Sequence, residues 1–348
     1  MDLTNISRRA LGRMAGSLAV AGIPLYSAAG STAQDIVKQM QEHLAGVWGA
    51  TGLDGFKAGK PETEVRGIVT TAMATMEVLQ KASKAGHNLI VTHEPTFFGS
   101  RDGAAAPAGR GGPPAGPGAP PAAGAAVAGR GAAPAAGGAA PGGPGAPAAR
   151  GGGGGGGFGG GGLAADDPVL KAKRDFIEKN NMVVFRLRDH WQARKENDRV
   201  LGLADSLGWS KHLVSGETMM FDIPNSTAEE TVALIRKKLN LHGGVRAVGD
   251  PKSKVRRVML YPGMMTPDVM EKYFGQVDLL LAGEVREWEC VCYAGDMNSA
   301  GEKRTLVTIG RVASEDPGMR VCATWLKTFV KGVPVEWISA GDPFWRQS

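Results

Sequence analysis

The sequence is short of cysteine and, past its first 33 residues, of long apolar runs. Cys290 and Cys292 are only two positions apart, a poor spacing for a disulfide or a structural zinc site, and Cys322 makes the total odd. We therefore expect core thiols rather than a disulfide framework. No stretch outside the N-terminal segment approaches the roughly 18 consecutive apolar residues of a membrane-spanning helix. The sequence thus predicts no integral membrane segment in the mature chain.

The part of the chain that is expected to fold also carries little net charge. The formal net charge is +6, but residues 1–33 carry +2 of it, and residues 103–162 carry +3 through Arg110, Arg130 and Arg150. The remainder is nearly neutral, at +1. A nucleic-acid-binding surface needs lysine and arginine clustered on the folded body. We find no such stripe and expect no nucleic-acid partner.

The first 33 residues have the features of an export signal. Arg8 and Arg9 precede a mildly apolar segment at 14–29, and small residues follow at 31–33. A basic start, a short apolar segment and a small-residue cleavage site make a signal peptide, and paired arginines before a weak apolar segment are typical of the twin-arginine route. We expect a periplasmic protein with residues 1–33 removed. A disordered basic tail is the alternative.

The composition of residues 103–162 indicates that this segment is not part of the folded core. Residues 103–162 are almost wholly glycine, alanine and proline, so they cannot bury enough apolar surface to offset the entropy of ordering them. We predict a disordered insertion in an α/β domain. Residues 34–102 form part of the first half, and residues 163–348 contain the rest of it and the second half. About 255 residues remain for folding, enough for one large or two modest domains.

Two strand–helix–strand units recur at an offset of 190 residues. In the first, strands at 65–69 and 88–92 flank a helix at 75–85. The second unit has the same order: strand 255–259, helix 267–274 and strand 278–281. Few identities are shared, and coincidence is the alternative, since any two βαβ units show this pattern. The duplication predicts an α/β fold in which two related βαβ-rich halves form one globular unit. It would place Glu94 and Glu284 in related positions.

The first unit ends in residues that suit chemistry. The apolar strand at 88–92 is followed by His93, Glu94 and Pro95, and proline ends a sheet ladder. In open α/β sheets, ligands bind at the carboxyl ends of the strands. An imidazole beside a carboxylate there suits a divalent metal or general acid–base catalysis. A loop histidine paired with its neighbour is the alternative.

Three stretches resemble the Nif-three-like family, also named GTP cyclohydrolase I type 2. They are the strand, helix and tip at 65–98, the segment 280–284 and the segment 309–315. The resemblance covers 34–98 and 166–345. It implies an α/β fold, a toroidal hexamer and a two-metal site at the strand tips between the halves. The cyclohydrolase name implies opening of the GTP ring, and a hydrolase activity is often supposed for the family.

The chain departs from the family pattern at three ligand positions. The family has two histidines where this chain has His93 and Glu94, an aspartate near Gln192, and a histidine where this chain has Arg311, four residues before Glu315. The resemblance implies that His93, Glu94 and Glu315 are the metal ligands here, for zinc, manganese or iron.

Arg311 changes the expected number of ions. Arginine stays protonated and does not ligate a metal in the usual way. Its spacing puts it on the same helix face as Glu315, where its guanidinium could replace one cation and bridge Glu94 and Glu315. We expect one divalent ion per chain. Two ions and a metal-free ionic cluster are the alternatives.

The function expected from these residues is a metal-dependent hydrolase of a small heterocyclic or phosphorylated substrate, with a metal-bound water as nucleophile. The candidate catalytic residues are Asp189 or His190 as assisting groups, Glu284 as a general base, and Arg311 as a stabiliser of anionic charge. Glu284 also fits a solvated first helical turn. GTP itself is not expected as a substrate outside the cytoplasm. The rival function is a non-catalytic, ring-forming scaffold or metal-binding protein with a decayed site.

Overall fold

The computed structural model describes residues 30–49, 53–99 and 166–345. The predicted insertion and all but the last four residues of the predicted leader lie outside this part of the chain. Within it, the strands are β1 (Gly55–Ala58), β2 (Ile68–Thr71), β3 (Leu89–Thr92), β4 (Val183–Arg186), β5 (Met220–Thr227), β6 (Arg246–Val248), β7 (Lys254–Met265), β8 (Leu279–Val285), β9 (Thr305–Thr308) and β10 (Val335–Trp337). The α-helices are α1 (Ala33–His43), α2 (Met76–Lys84), α3 (Pro168–Lys179), α4 (Asp189–Gln192), α5 (Asp198–Leu207), α6 (Ala228–Lys238), α7 (Pro267–Tyr273), α8 (Cys292–Ser299) and α9 (Arg311–Phe329).

The strands form two five-stranded sheets. The first has the order β1-β4-β3-β2-β10, in which β10, β2, β3 and β4 are parallel and β1 is an antiparallel edge. The second has the order β5-β7-β8-β9-β6, in which β7, β8 and β9 are parallel and both edges are antiparallel. The predicted α/β class is confirmed.

The predicted offset of 190 residues is visible in the strand register. Ile68 of β2 pairs with Leu89 of β3, and Val258 of β7 pairs with Leu279 of β8, so both partners shift by the same amount. The ends of the units differ, because β3 stops at Thr92 whereas β8 continues to Val285. The two halves therefore share their central strands but not their strand tips.

Side chains of the first sheet alternate between two apolar layers. Ile68, Leu89 and Val91 pack against α1 and α9, whereas Val69 and Ile90 pack against α2 and α3. All residues of β2 and β3 are buried, as expected for parallel strands covered on both faces. The second sheet repeats the arrangement, with α5 and α6 on one face and α7 and α8 on the other.

Helix α9 joins the two sheets. It packs against β2 and β10 of the first sheet, β7 and β8 of the second, and along α5. The α5–α9 contact depends on glycine, because a Cβ at Gly202 would lie 2.5 Å from the carbonyl oxygen of Pro317, and one at Gly318 would lie 2.8 Å from the Cα of Arg199. This close approach brings the first turn of α5 next to α9.

The prediction about cysteines is confirmed in part. Cys290 and Cys322 are buried, whereas Cys292 is exposed, and all three are free thiols. The expectation of a core thiol was wrong for Cys292, because the side chain of this first residue of α8 is exposed. No helix in the described part of the chain is both long and apolar enough to cross a membrane.

The last residues of the predicted leader belong to the folded body. Thr32 is the N-cap of α1 and forms a capping box with Asp35, and Ala33 is fully buried. The Val65 amide donates to the carbonyl oxygen of Ser31 at 2.9 Å, which ties the segment to the sheet. Because cleavage after Ala33 would remove this cap, we propose that any cleavage takes place before Ser31.

A chain that begins at Gln34 should be less stable than one that begins at Gly30. Loss of a helix N-cap costs about 1 kcal/mol, which corresponds to about 2–4 °C in Tm for a domain of this size. Thermal unfolding of the two chains measures the difference, and Thr32→Ala in the longer chain isolates the part due to the cap. Equal Tm values for all three would contradict the assignment of residues 31–33 to the fold.

A buried carboxylate lies at the start of α5. The side chain of Asp198 is 7% exposed and lies 3.2 Å from Nε of Arg194. Burial raises the pKa of Asp198 to about 6, despite the opposing charge of Arg194. Since this pKa exceeds the ordinary value of 3.8, the folded state binds a proton more tightly than the unfolded chain, and Asp198 costs stability as the pH rises through this window.

Asp198→Asn should remove this cost. The Tm of the variant relative to the wild type should therefore increase between about pH 4.5 and about pH 7.5, where the wild-type carboxylate becomes charged. Comparing the variant with the wild type at each pH cancels the titration of other groups. A Tm difference that is constant over this range would show that Asp198 titrates normally.

Candidate metal centre

His93 and Glu94 lie immediately beyond the tip of β3. Their backbone amides donate to the carbonyl oxygens of Thr71 (3.2 Å) and Ala72 (2.7 Å), so the end of β2 holds both residues in place. The side chain of His93 is 1% exposed and that of Glu94 is 8% exposed. The predicted strand tip therefore carries an imidazole and a carboxylate, and both are buried rather than open to solvent.

Glu315 reaches the same point from the second turn of α9. Its Oε2 lies 3.2 Å from Nδ1 of His93, which is also 3.6 Å from Oε1 of Glu94. One ligand atom from each of the three residues lies within 4.8 Å of the other two. The fold thus brings together the three residues that the resemblance implied as metal ligands.

The opposite side of the His93 ring faces Gln192. The side-chain amide of Gln192, from α4, lies 3.0 Å from Nε2 of His93. This is the position near which the resemblance implies an aspartate. An amide carries no charge, so Gln192 adds no negative charge to the centre.

Two arginines pair with the two carboxylates. Nη2 of Arg311 lies 2.9 Å from Oε1 of Glu94, so Arg311 contacts the first of its expected partners. The expected bridge to Glu315 is wrong, because the arginine that pairs with Glu315 is Arg199, with Nη1 3.5 Å from Oε1. Sequence analysis missed Arg199, since no motif surrounds it and only the α5–α9 contact brings it to the centre.

The strands of the second sheet contribute space rather than ligands. The pairing of β7 with β8 is irregular between Tyr261 and Met264, and Gly263 there has φ +91°. A Cβ at Gly263 would lie 2.6 Å from Oε1 of Glu315 and 3.2 Å from Nη1 of Arg199. The Gly263 amide donates to Oγ of Ser314 at 2.9 Å. Glycine is therefore required where this strand passes the buried carboxylate.

The charges of the centre shift the pKa values of its members. Burial opposes protonation of His93, but the charges and hydrogen bonds of Glu315 and Glu94 outweigh it and raise the pKa of the imidazole. Burial would raise the pKa of Glu94, but the hydrogen bond from His93 and the charges of Arg311 and Arg188 hold it well below its usual range. The centre therefore keeps the Glu94 carboxylate ionised.

The structure does not bring Asp189 and His190 into the ligand cluster. His190 is held by Asp54, whose Oδ2 lies 2.7 Å from Nδ1, and its ring stacks on Trp48. Asp54 also accepts the backbone amides of Arg188, Asp189 and His190, and so caps α4. These contacts favour a structural role for His190, and Asp189 shows no contact with the three ligands.

Glu284 also lies apart from the ligand cluster. Because β8 extends past the point where β3 stops, Glu284 still belongs to the strand and is exposed. It lines a cavity of about 610 Å³ whose wall also includes Arg311 and Phe344. Glu284 and Glu94 hold related sequence positions, but they do not share one site.

The residues of the centre fit one divalent ion. One imidazole and two carboxylates are ligands that zinc, manganese and iron accept, and both carboxylates are buried close to the imidazole. At two positions where the resemblance implies further ligands, this chain has the neutral amide of Gln192 and the cation of Arg311.

The chain is similar in sequence or in fold to several known proteins. The Duf34/NIF3 (NGG1p interacting factor 3) family profile matches residues 31–106. A hypothetical protein of Staphylococcus aureus is 15% identical with a TM-score of 0.59, over 91% of this chain and 99% of its own. A NIF3-related protein of Bacillus cereus is 12% identical with a TM-score of 0.59, over 91% and 100%. A Thermus thermophilus protein is 14% identical with a TM-score of 0.51, over 90% and 98%.

At such identities the solved structures establish the fold, which is an α/β fold shared over nearly the whole of each relative. The profile match shows that residues 31–106 are similar to the Duf34/NIF3, or Nif-three-like, family that the sequence resembles. No curated protein matches the sequence.

Gly263→Ala should disturb the centre. A side chain there meets Glu315 and must adopt positive φ, and such strain costs about 1–3 kcal/mol. Gly275→Ala is the matched control, because a Cβ at that glycine has no neighbour within 4 Å. We expect a lower Tm and weaker zinc binding for Gly263→Ala alone. Equal losses in both variants would show that the β7 irregularity does not support Glu315.

Proposed function

We propose that this chain is an exported Nif-three-like protein that binds one divalent ion through His93, Glu94 and Glu315 and hydrolyses a small heterocyclic or phosphorylated substrate. The observation that carries the proposal is the buried cluster of three ligand atoms within 4.8 Å of one another. Its position at a strand tip agrees with where α/β sheets bind ligands.

The chain's own residues have separate roles in this proposal. A divalent ion supplies stabilisation of negative charge and lowers the pKa of a bound water. Arg311, with a quarter of its side chain exposed, orients an anionic substrate group and stabilises the charge that develops on it. Arg199 holds Glu315 in position from the side facing α5.

The cellular setting is part of the proposal. The arginine pair Arg8-Arg9 before a weak apolar segment supports export to the periplasm by the twin-arginine route. The resemblance to the Nif-three-like family supports a homo-oligomer, and we propose a hexamer. Zinc, manganese and iron all suit the imidazole and carboxylate ligands.

A non-catalytic function is the second candidate. Both carboxylates already have cationic partners in Arg311 and Arg199. A metal-free ionic cluster would satisfy these charges without an ion, and the chain would then act as a ring-forming scaffold. The two candidates differ in the number of metal ions that the protein retains.

Metal content tests the proposal. The wild type, loaded with zinc or manganese and then desalted, should retain one ion per chain by elemental analysis. Arg311→His should raise occupancy, because it replaces a nearby cation with a ligand, and two unit charges about 4 Å apart interact by about 4 kcal/mol at an effective dielectric of 20. Adding Glu94→His should raise it further. Arg256→His, at an exposed position on β7, is the matched control.

The outcomes separate the two functions. Two tightly held ions in the wild type would contradict the one-ion centre, and no retained ion in any variant would favour the scaffold. For the activity, the metal-loaded wild type should hydrolyse p-nitrophenyl phosphate and Glu315→Gln should not. Equal rates for these two proteins would show that the centre is not the site of hydrolysis.

A further inference from the structure

The metal centre exposes its cations and buries its anions. The side chains of Arg311 and Arg199 are 25% and 22% exposed, whereas those of Glu94 and Glu315 are 8% and 1% exposed. A molecule that approaches from solvent therefore meets guanidinium groups first. The carboxylates lie beneath them, where they fix the arginines in place.

A third arginine stands at the same strand tips. The Leu187 amide donates to the carbonyl oxygen of Thr92 at 2.9 Å, so the chain beyond β4 runs beside the tip of β3. Arg188 follows directly, and Oδ1 of Asp54 fixes its backbone amide at 2.7 Å. Its charge acts on both Glu94 and Arg199. Among the described residues its side chain has no ion-pair or hydrogen-bond partner.

The charges of the centre do not balance. Three partly exposed arginines, Arg188, Arg199 and Arg311, face the two carboxylates of Glu94 and Glu315, and the buried Arg186, whose Nε donates to the carbonyl oxygen of His93 at 3.4 Å, adds a further positive charge. Glu94 and Glu315 already face Arg311 and Arg199, so, among the described residues, the guanidinium of Arg188 is the exposed charge that no carboxylate faces. Guanidinium groups held close together repel one another, and a bound anion would offset this repulsion. The arginine side of the centre is therefore suited to a negatively charged ligand.

We propose that Arg188 and Arg311 bind a small tetrahedral oxyanion, namely phosphate, either free or as a phosphomonoester. Guanidinium groups bind phosphate oxygens with paired, charge-assisted hydrogen bonds. Arg311 also lines the cavity of about 610 Å³ that includes Glu284 and Phe344, which offers room for the organic part of an ester. This inference rests on the proposed function only because it concerns the same site. It identifies the phosphate group as the part of the substrate that the arginines recognise.

Calorimetric titration of the full chain tests the inference, after chelator treatment and elemental analysis have shown that it is metal-free. Inorganic phosphate should bind to this protein, and Arg188→Gln should weaken binding by at least about tenfold. Arg188→Lys should restore part of the affinity. Arg256→Gln, which removes an exposed arginine from β7, should leave it within about twofold. The Tm of each variant checks that it is folded.

Phenyl phosphate and acetate complete the test. Phenyl phosphate should bind at least as tightly as inorganic phosphate, because its ring can enter the cavity, whereas acetate should bind far more weakly. No phosphate binding without metal, or equal affinities of wild type and folded Arg188→Gln, would overturn the inference. Binding of inorganic phosphate but not phenyl phosphate would overturn the role of the cavity.

Failure of this inference and failure of the proposed function give different results. One metal ion per chain without phosphate binding in the metal-free protein would overturn the arginine site and leave the metal function standing. Phosphate binding by a chain that retains no metal would uphold the arginine site and overturn the metal function.

Discussion

The buried charge of Glu315 is the constraint on which the arrangement of the centre depends. An ionised carboxylate that is almost fully removed from water is tolerated only with partners of good geometry, because its desolvation costs several kcal/mol. One oxygen faces His93 from the first sheet and the other faces Arg199 from α5. Each partner requires its own support: the glycine contact between α5 and α9 for Arg199, and the end of β2 for the backbone of His93. Gly263 leaves the volume that the carboxylate occupies. Glu315 is thus in contact with His93 at the tip of the first sheet and lies next to Gly263 of the second sheet.

The two strand–helix–strand units differ at their tips, and this difference explains why only the first unit presents ligands at its strand tip. Both units keep the same register between their central strands, so their tips could have carried similar residues. In the first unit the strand stops and presents His93 and Glu94. In the second, β7 is irregular and β8 continues, so that glycines lie beside α9 and Glu284 faces the cavity that Arg311 also lines. The first half supplies His93 and Glu94, whereas the strands of the second sheet leave the space into which Glu315 of α9 projects.

The sequence predicted the parts of this structure that depend on local pattern. The central strands, the helix between them and the breaking effect of Pro95 follow from apolar periodicity and proline chemistry, and the ligand trio follows from the family resemblance. Arg199 was missed because its position depends on how α5 crosses α9, and a single arginine at a helix start carries no signal of that crossing. The contact of His190 with Asp54 was missed for the same reason, since the two residues are 136 positions apart in sequence. The role of Thr32 was also missed, because a small residue there resembles part of a cleavage site, whereas its side chain caps a helix.

The separation of the ligands along the chain has a consequence for folding. His93 and Glu315 lie 222 residues apart, so the contact between them closes one of the longest loops in the protein. Loop closure becomes less favourable only slowly with length, but contacts of this separation slow the search for the native state. During synthesis the centre cannot form until α9 has left the ribosome. Any ion or anion that binds there stabilises only chains that have completed their fold, so occupancy of the centre distinguishes finished molecules from partly folded ones.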